Sequence, residues 1–457
     1  MSPKFGTSGL RGLVTELTPE LVTSYVQAFL RSCDVGSKLF VGRDLRPSSP
    51  NLADIVMTAA QNMGMTAIDA GEVPTPALAL TAQQQDASAI MITGSHIPAD
   101  RNGLKFYSRA GEIAKKDETA ICAALEKPVQ AVAQGQRVSD PEVNSRYVLR
   151  YVTAFGSAAL AGKRIGLYSH SAVGRDVLAS ILRLLGAEVT ELGRSETFIP
   201  VDTEAVDSAT RDSIRTWVQL NGFDAVMSMD GDSDRPLLAD ENGKIVPGDV
   251  MGQITAEALD ADTVVTPISS NSGVSAKGFA NVHLTRIGSP FVIAGMQAAG
   301  GKVIGYEANG GFLLGFEATV LIGTLSPLIT RDCVLPLIMT LVAAGEGPVS
   351  QRVAHEPRVI TVADRLQDVP QVRSSAFVGK LAQDPEARAC FLAALGSTEQ
   401  KTDLTDGVRM YLTDGRVVHV RPSGNAPELR LYVEAQDEDA ANATLALGLN
   451  VLRSNLA

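Results

Sequence analysis

A strand–helix–strand unit occurs twice along the chain with the same spacing of glycines. The segments at 38–44 and 163–169 are strand-like, and each precedes a stripe of apolar residues at helical spacing. Gly64 and Gly186 stand where these two helices are expected to end, and a further glycine follows seven residues after each. Glycine after a helix is a common stop signal, so either match alone carries little weight. Because the order of elements also matches, the sequence predicts duplicated βαβ domains.

The rest of the chain extends this α/β pattern and then leaves it. Segments at 263–269 and 302–307 favour a third unit of the same kind. The segment 410–423 indicates a hairpin that turns at Asp414 and Gly415, and another strand and a final helix follow it. The sequence therefore predicts an α/β fold of three similar domains followed by a smaller α+β domain. The expected domains are 1–145, 146–246, 247–358 and 359–457.

Composition narrows the class of protein. The chain has 457 residues, which at about 100–200 residues per domain suggests three or four domains. Its formal net charge of −11 argues against a general nucleic-acid-binding role, but it leaves room for an anionic substrate in a local basic cleft. The start has no apolar signal-peptide core, and the longest apolar run is far shorter than the ~20 residues of a membrane span. Four singly placed cysteines favour reduced thiols, as expected for a cytoplasmic enzyme.

Three carboxylates follow a strand-like segment within the short motif DGDSDR at 230–235. Asp230, Asp232 and Asp234 alternate around a turn, an arrangement that can wrap one hard cation such as Mg²⁺ or Ca²⁺. A solvated acidic turn is the equally common alternative. An EF-hand is disfavoured because its sixth position must be glycine and is Arg235 here. A phosphatase that uses Asp230 as its nucleophile stays open.

Three further segments have the composition of ligand-binding loops. The segment 421–430 combines arginines with short polar residues, which suits a phosphate as well as it suits an ordinary turn. The segment 305–311 offers Glu307 and Asn309 to sugar hydroxyls, although two adjacent glycines more often mark a plain turn. FGTSGLRG near the start contains Arg11 and is compatible with an anion.

Ser95 and His96 follow an apolar strand-like run, in a segment rich in turn-forming residues. A Ser-His-Asp hydrolase needs its serine and base side by side in space, which neighbours in sequence seldom supply. The segment also lacks the GxSxG frame of a nucleophile elbow. Two interpretations remain: a serine that caps a turn, and a serine that carries a phosphoryl group beside the acidic motif at 230–235.

Taken together and in order, these motifs resemble the α-D-phosphohexomutase superfamily, most closely its bacterial phosphomannomutase members. The matching segments are TGSHIPADRNGLKFY (93–107), DGDSDR (230–235), GYEANGG (305–311) and RPSGNAPELR (421–430), with FGTSGLRG at the start. Members of this family have three similar α/β domains with mixed sheets and a smaller α+β C-terminal domain around a central cleft. The resemblance implies the same architecture here.

The resemblance also implies roles for the first two motifs. Ser95 would carry the phosphoryl group, and its phosphate would share a Mg²⁺ ion with Asp230, Asp232 and Asp234. Lys105 would assist proton transfer at the reacting hydroxyl. The phosphoserine would belong to the first domain and the metal motif to the second.

Other residues gain expected roles in the same way. Arg11 and Arg235 would stabilise charge on the transferring phosphoryl group, and His96 would have a lesser role in orienting the phosphate. Glu307 would bind hydroxyl groups of the sugar from the third domain. The remaining substrate contacts expected are Asn309, Arg286, Arg421, Ser423, Gly424, Asn425 and Arg430, those from 421 onward in the fourth domain.

The sequence departs from the family's pattern in several places. Gly94 stands where many members have alanine. Gly311 and Ser289 stand where some members have histidines. These missing histidines shift the expected acid–base work towards Lys105.

The expected reaction is the interconversion of mannose 6-phosphate and mannose 1-phosphate, through phosphoserine and a hexose 1,6-bisphosphate that turns around within the cleft. Phosphoglucomutase and phosphoglucosamine mutase are the alternatives in the same reaction class. Outside that class, the alternatives are a Mg²⁺-dependent sugar phosphatase and a non-catalytic sugar-phosphate-binding protein. The expected partners are the hexose phosphate and its bisphosphate, with no nucleic acid or membrane, in a monomer or weak homodimer.

Overall fold

The computed structural model describes residues 3–6, 9–125, 133–423 and 427–456. These residues form one eight-stranded and three five-stranded sheets, together with one small two-stranded sheet. The first three of the large sheets are mixed, and the last is antiparallel throughout. The predicted α/β fold of three similar domains and a smaller α+β domain is confirmed.

The eight-stranded sheet belongs to the N-terminal part of the chain. Its strands are β1 (Lys4–Phe5), β2 (Leu10–Leu13), β3 (Lys38–Arg43), β4 (Thr66–Glu72), β5 (Ser88–Ile92), β6 (Arg101–Ser108), β7 (Gly111–Glu112) and β8 (Arg137–Ser139). The accompanying helices are α1 (Pro19–Ser32), α2 (Ser49–Asn62), α3 (Thr75–Gln84) and α4 (Lys115–Ala124). The strands lie in the order β1–β2–β6–β5–β3–β4–β8, with β7 paired to β6.

The second mixed sheet has five strands in the order β10–β9–β11–β12–β13. These are β9 (Arg164–Tyr168), β10 (Glu188–Leu192), β11 (Ala225–Met229), β12 (Pro236–Ala239) and β13 (Ile245–Val246). The helices of this part of the chain are α5 (Val143–Phe155), α6 (Arg175–Leu184) and α7 (Ser208–Asn221).

The third mixed sheet has the order β15–β14–β16–β17–β20, and β18 and β19 form the separate two-stranded sheet. The strands are β14 (Thr263–Pro267), β15 (Asn281–Thr285), β16 (Val303–Tyr306), β17 (Phe312–Leu314), β18 (Ala318–Thr319), β19 (Thr324–Leu325) and β20 (Leu328–Asp332). The helices are α8 (Gly248–Ala258), α9 (Ser289–Ala299), α10 (Val334–Ala344) and α11 (Val349–Ala354).

The antiparallel sheet belongs to the C-terminal part and has the order β21–β25–β24–β23–β22. Its strands are β21 (Ile360–Leu366), β22 (Glu399–Asp403), β23 (Val408–Leu412), β24 (Val417–Pro422) and β25 (Leu429–Ala435). Its helices are α12 (Gln371–Gln383), α13 (Pro385–Ala394) and α14 (Glu438–Leu456). The predicted hairpin is β23–β24, and Gly415 in its turn has the positive φ of 85° that glycine adopts readily.

The three mixed sheets share one five-strand pattern. In each, three parallel strands are followed by two antiparallel ones: β4–β3–β5–β6–β2, β10–β9–β11–β12–β13 and β15–β14–β16–β17–β20. The connections β5–β6, β11–β12 and β16–β17 are therefore equivalent, because each leads from the last parallel strand into the first antiparallel one. These connections contain the serine, acidic and sugar motifs, so duplication of the fold gives each motif the same place in its own domain.

In the described part of the chain, apolar packing links the first three domains to one another but not to the fourth. One buried cluster runs through all three mixed sheets and includes Phe40, Leu178 and Ile338. The C-terminal sheet packs on its own cluster, which includes Val418 and Leu431. The fourth domain is thus a separately packed unit that adjoins a continuous three-domain base. Among the described residues, no helix is both long and apolar enough to cross a membrane.

Candidate active site

The three equivalent connections meet at one place between the domains. The hydroxyl of Ser95 donates a 2.6 Å hydrogen bond to Oδ2 of Asp230, which lies in the β11–β12 connection. Arg331, at the end of β20, donates to Oδ2 of Asp234 and to Oε2 of Glu307 in the β16–β17 connection. Residues from three domains therefore form one continuous polar cluster.

Ser95 has a backbone conformation that side-chain-bearing residues seldom adopt. Its φ is +55°, in the left-handed region, so the surrounding structure must hold it there. Its N–H donates to Oγ1 of Thr93 at 2.7 Å, and its carbonyl accepts from Arg46 at 2.9 Å. A side chain at Gly231 would come within 2.7 Å of the same carbonyl. The acidic motif and the serine loop thus pack against each other at Gly231, where a larger residue would not fit.

A buried arginine that the sequence reasoning missed holds the serine loop together. Arg46 is 1% exposed, and its Nε pairs with Asp44 at 3.2 Å. The other nitrogens of its guanidinium donate to four backbone carbonyls, those of Ser95, Ile97, Pro98 and Arg101. A Cβ at Gly94 would lie 2.6 Å from Cζ of Arg46, which explains why glycine and not alanine stands there.

His96 contacts Ser95 although neighbours in sequence seldom meet in this way. Its Nδ1 lies 3.2 Å from the Ser95 hydroxyl and 3.0 Å from Nη1 of Arg235. Arginine can only donate, so Nδ1 accepts from Arg235 and its lone pair is occupied. Burial, and then the charges of Arg235 and Arg11, push the pKa of His96 far below its ordinary value. His96 is therefore a neutral ring that is poorly suited to take the serine proton.

The acidic motif forms a compact buried cluster. One carboxylate oxygen from each of Asp230, Asp232 and Asp234 lies within 4.8 Å of the others. Within the part of the chain that the structure describes, Oδ1 of Asp232 and Oδ1 of Asp234 are buried and accept no hydrogen bond. Buried carboxylate oxygens without donors are costly, and hard divalent cations bind such oxygens. The cluster therefore fits a divalent metal site, and the strand β11 before it confirms that it is not an EF-hand.

The carboxylates of the cluster differ in their electrostatics. Burial raises the pKa of Asp230 to about 8, and the charges of Asp232 and Asp234 add to this effect. Burial acts on Asp234 in the same direction, but Arg331, Lys105 and Arg235 outweigh it and hold the pKa of Asp234 well below its usual range. Without a metal, Asp230 thus holds a proton at neutral pH, whereas Asp234 stays negatively charged.

Besides Ser95, two further residues of the first domain bind the cluster directly. Nζ of Lys105 lies 2.5 Å from Oδ2 of Asp232 and 2.6 Å from Oδ2 of Asp234. Thr75, the first residue of α3, donates its hydroxyl to the same oxygen of Asp232 at 2.5 Å. The sequence reasoning predicted Lys105 but missed Thr75, because a lone threonine where a helix begins usually has only a local role.

Arginines surround the serine and the acidic cluster. Nε of Arg235 lies 3.7 Å from Asp234 and 4.0 Å from Asp230. Arg11 is half-buried and lies close enough to Arg235 and Arg331 for their charges to affect its pKa. Burial, then the charges of Arg235 and Arg331, lowers that pKa to about 10. Cations that repel one another in this way form a site in which an added anion is stabilised.

The sugar motif is a folded loop whose groups are mostly engaged with protein. The carboxylate of Glu307 accepts from Nη1 of Arg331 at 3.1 Å. Oδ1 of Asn309 accepts the N–H of Gly311 at 3.0 Å, and its backbone carbonyl accepts from Thr203 of the second domain at 3.1 Å. The described contacts of Asn309 therefore shape the loop and tie it to the neighbouring domain.

The predicted substrate contact Arg286, and Ser289, which stands where some family members have a histidine, lie apart from this cluster in the described structure. Arg286 is exposed, and its guanidinium carbon lies 5.6 Å from the centre of the Phe291 ring. Ser289 is buried and donates its hydroxyl to Glu112 at 2.6 Å. Neither residue has a described contact with the acidic cluster.

The predicted phosphate loop places two arginines face to face. Arg421 on β24 and Arg430 on β25 are direct partners across the strands. Like charges in such positions repel each other, and among the described residues Asp406 at 3.4 Å and Glu428 at 3.3 Å compensate them in part. The N–H of Ser423 donates to the carbonyl of Glu428 at 2.9 Å. Gly424 and Asn425 lie outside the described residues.

Glu204 connects the second and fourth domains electrostatically, and the sequence reasoning missed it. Burial raises its pKa to about 7, with a further rise from Asp202, while Arg235 and Arg430 act in the opposite direction. The residue is nevertheless exposed at its surface, so water screens part of these interactions and limits the rise in its pKa. Because its carboxylate interacts with the charges of both Arg235 and Arg430, Glu204 lies between the polar cluster around Ser95 and the phosphate loop.

Comparison with known proteins agrees with this geometry. Models of the phosphoglucomutase/phosphomannomutase family match in the expected order: α/β/α domain I at 2–131, domain II at 146–243, domain III at 247–359 and the C-terminal domain at 362–447. The chain belongs to the phosphoglucomutase/phosphomannomutase family. The resemblance that the motifs predicted is confirmed.

Members of this family are similar to the chain over its whole length. A phosphomannomutase of Sinorhizobium fredii (strain NGR234) is 46% identical over 475 residues, covering 100% of both chains. A phosphomannomutase of Salmonella muenchen is 40% identical over 462 residues, covering 99% of this chain and 96% of the relative. The crystal structure of a phosphoglucomutase/phosphomannomutase family protein from Burkholderia thailandensis superposes with a TM-score of 0.79 at 19% identity, covering 98% and 97% of the two chains. The last comparison concerns the fold alone.

Proposed function

We propose that this protein is a phosphomannomutase that moves a phosphoryl group between O6 and O1 of mannose phosphate, with Ser95 as the phosphoryl carrier. The observation that carries the proposal is the 2.6 Å hydrogen bond between the Ser95 hydroxyl and Asp230 of the divalent-metal cluster. A serine in that contact has its oxygen where a transferring phosphoryl group can be neutralised. The identities of 46% and 40% to phosphomannomutases support mannose as the sugar.

The proposed transfer needs positioning and charge neutralisation more than covalent chemistry by the protein. When bound by Asp230, Asp232 and Asp234, a divalent ion, for which we propose Mg²⁺, supplies positive charge to the phosphoryl oxygens. Arg235 presents further positive charge beside Ser95 and orients the neutral His96 ring. Arg11 adds its guanidinium to the same space.

In the first half-reaction a sugar hydroxyl attacks the phosphorus of phospho-Ser95. The bond from phosphorus to Oγ of Ser95 breaks. Lys105, which we assign as the proton relay, would pass one of its own protons to the carboxylates it contacts as it takes up the hydroxyl proton. Oγ of Ser95 would take up one proton from the same polar cluster, so the number of protons is unchanged. The product is a hexose 1,6-bisphosphate and an unmodified serine. In the second half-reaction the bisphosphate has turned end for end and returns its other phosphoryl group to Ser95.

The remaining loops would hold the sugar during both half-reactions. We assign Glu307 to the sugar hydroxyls and the paired Arg421 and Arg430 to the phosphate that is not reacting. Ser423, Gly424 and Asn425 would complete that phosphate site, and Asn309 would shape the sugar loop. Arg286 would add a substrate contact from the exposed edge of the third domain, next to Phe291. The proposed domains 1–145, 146–246, 247–358 and 359–457 would each contribute one loop.

A kinetic comparison tests this function. With Mg²⁺ and a hexose bisphosphate activator supplied, we expect kcat/KM to be highest for mannose 1-phosphate among the mannose, glucose and glucosamine phosphates. Ser95→Ala should lower turnover at least about a thousandfold. Ser88→Ala is the matched control, since Ser88 is also buried but donates to the carbonyl of Lys38. A higher kcat/KM on glucose or glucosamine phosphate would reassign the sugar, and normal turnover of Ser95→Ala would remove the carrier role.

A phosphatase is the second candidate function, because a strand followed by closely spaced aspartates suits an aspartyl nucleophile. Asp230 accepts hydrogen bonds from Ser95 and from the backbone N–H groups of Asp234 and Arg235. An acyl phosphate trapped on Asp230, with net release of inorganic phosphate, would favour that function over the mutase.

A further inference from the structure

Arg331 is a buried arginine that joins loops from two domains. Its side chain is 3% exposed. Nε and Nη2 lie 3.0 Å and 2.9 Å from Oδ2 of Asp234, and Nη1 lies 3.1 Å from Oε2 of Glu307. The guanidinium therefore binds a carboxylate of the metal cluster on one side and the candidate sugar carboxylate on the other.

A glycine leaves room for this arrangement. A Cβ built at Gly311 would lie 2.6 Å from Cδ and 2.7 Å from Cγ of Arg331. These are atoms in the middle of the side chain, whose far end is fixed by two carboxylates, so they cannot swing aside freely. Gly311 and Arg331 thus fit together as a pair, with the arginine stem filling the space beside the sugar loop.

The chemistry of this bridge requires arginine. A planar guanidinium offers donors in fixed directions and can bind two carboxylates at once, whereas the single ammonium of lysine is a compact point charge. Removing one partner of a buried ion pair leaves the other without compensation, and the loop that carries it is then free to move. The charge of Arg331 also reaches Arg11 and Arg235, which places it within the cationic shell of the reaction site.

The guanidinium nitrogens of Arg331 are buried and already bound to Asp234 and Glu307, so Arg331 would affect the substrate through these two carboxylates. We propose that Arg331 is a positioning residue that holds Glu307 at a set distance from Asp234, and so fixes the sugar hydroxyls relative to the phosphoryl-transfer site. This inference rests on the proposed function, since it takes Glu307 to bind the sugar. A displacement of about 1 Å at such a site can cost a hundredfold in rate, which gives the bridge its importance.

A double-mutant cycle on substrate binding tests the proposal. The titrations use mannose 6-phosphate and full-length protein with Mg²⁺, in a Ser95→Ala background so that no turnover occurs. We expect Glu307→Gln and Arg331→Met each to raise Kd about tenfold, and the double variant also to raise it about tenfold. If the two residues act independently, the double variant instead loses about a hundredfold, and that result overturns the proposal. An unchanged Kd in Arg331→Met also overturns it.

A matched control separates this role from general loss of a buried arginine. Arg352 also bridges two carboxylates of the third domain, Glu257 and Glu356, and has no described contact with the cluster. Arg352→Met should leave the Kd of the sugar phosphate within about twofold of the parent. A Kd raised as far by Arg352→Met as by Arg331→Met would show that only stability is lost, which contradicts the positioning role.

Two gentler variants keep the test decisive if Arg331→Met does not fold. Gly311→Ala displaces the Arg331 stem while every charge is retained, and Gly311 does not have a positive φ that alanine would strain. Arg331→Lys keeps the charge but not the double contact. Each should raise Kd at least threefold, and an unchanged Kd in both overturns the proposal. If the parent itself binds no hexose phosphate, the proposed function fails instead, so the two failures are distinguishable.

Discussion

The ammonium group of Lys105 lies 2.5 Å from Oδ2 of Asp232. A second contact of 2.6 Å reaches Asp234. Both carboxylates belong to the cluster that fits a divalent metal, so the lysine and the metal draw on the same negative charge. The proposed proton relay therefore lies beside the metal ligands before any substrate arrives.

Replacing Lys105 by methionine should separate metal binding from turnover. With the competing cation removed, we expect the Kd of Mg²⁺ to tighten severalfold, while kcat falls about a hundredfold or more because the proton relay is lost. Calorimetric titration and steady-state kinetics measure the two effects. Lys115→Met is the control, since Lys115 pairs with Glu118 outside the cluster and should change neither quantity. Weaker metal binding in Lys105→Met would contradict the competition.

The raised pKa of Asp230 predicts a pH-dependent stability of the metal-free protein. The folded form holds a proton on Asp230 up to about pH 8, whereas the unfolded chain releases it near the ordinary carboxyl pKa of about 4. The folded state thus binds more protons between these values, and its stability falls as the pH rises through them. Asp230→Asn carries no such charge and lacks this part of the slope.

Thermal unfolding in EDTA measures this effect. The Tm of Asp230→Asn minus that of the unmodified protein should grow steadily from pH 5 to pH 8. Carboxyls far from Asp230 contribute equally to both proteins and cancel in the difference, whereas the interaction of Asp230 with Asp232 and Asp234 is part of the effect that is measured. A difference that stays constant or shrinks over this range would show that the Asp230 pKa is not raised.

Arg46→Lys should damage catalysis more than stability. A lysine has fewer donors than the guanidinium and cannot hold the backbone carbonyls of the serine loop in one geometry. We expect kcat/KM to fall about a hundredfold, because Ser95 moves away from its place beside Asp230. Arg150→Lys is the control: Arg150 also donates to a backbone carbonyl, that of Ser326, but away from the cluster. A kcat/KM within twofold of the unmodified protein would refute the role of Arg46.

Glu204 predicts a pH dependence of substrate binding. Its pKa is raised above the ordinary glutamate value, so Glu204 loses its proton at a higher pH than a free glutamate does, although water screens part of the shift at this exposed side chain. The charged form repels a sugar phosphate held near Arg430, so KM should rise over the pH range in which Glu204 loses its proton. Glu204→Gln should flatten this part of the profile, and the exposed Glu188→Gln should not. Parallel profiles for Glu204→Gln and the unmodified protein would exclude the effect.

Local patterns in the sequence were enough to predict the loops that carry the motifs and several of the strands, among them those at 38–44, 163–169, 263–269 and 302–307. The hairpin at Asp414 and Gly415 follows from turn chemistry, and the acidic cluster follows from alternating carboxylates after a strand. Matching elements in two parts of the chain predicted the duplication, which in turn gives equivalent places to the serine, acidic and sugar loops. These features depend on residues that are close together in the chain.

The residues that sequence reasoning missed act across long separations. Thr75 binds Asp232 at a separation of 157 residues, and Arg331 binds Asp234 at 97. Arg46 is isolated in the sequence from the loop that it holds, and no periodicity marks a buried arginine as different from a surface one. Their roles depend on how the domains pack, which local propensity does not contain.

The phosphoryl group on Ser95 is the central claim, and mass spectrometry tests it most directly. Purified full-length protein is incubated with a hexose 1,6-bisphosphate and Mg²⁺, and then with an excess of hexose monophosphate. We predict a gain of about 80 Da that maps to Ser95 after the first step and is lost after the second. Sustained mutase turnover with Ser95 unmodified throughout, or with the phosphate on Asp230, would contradict the account.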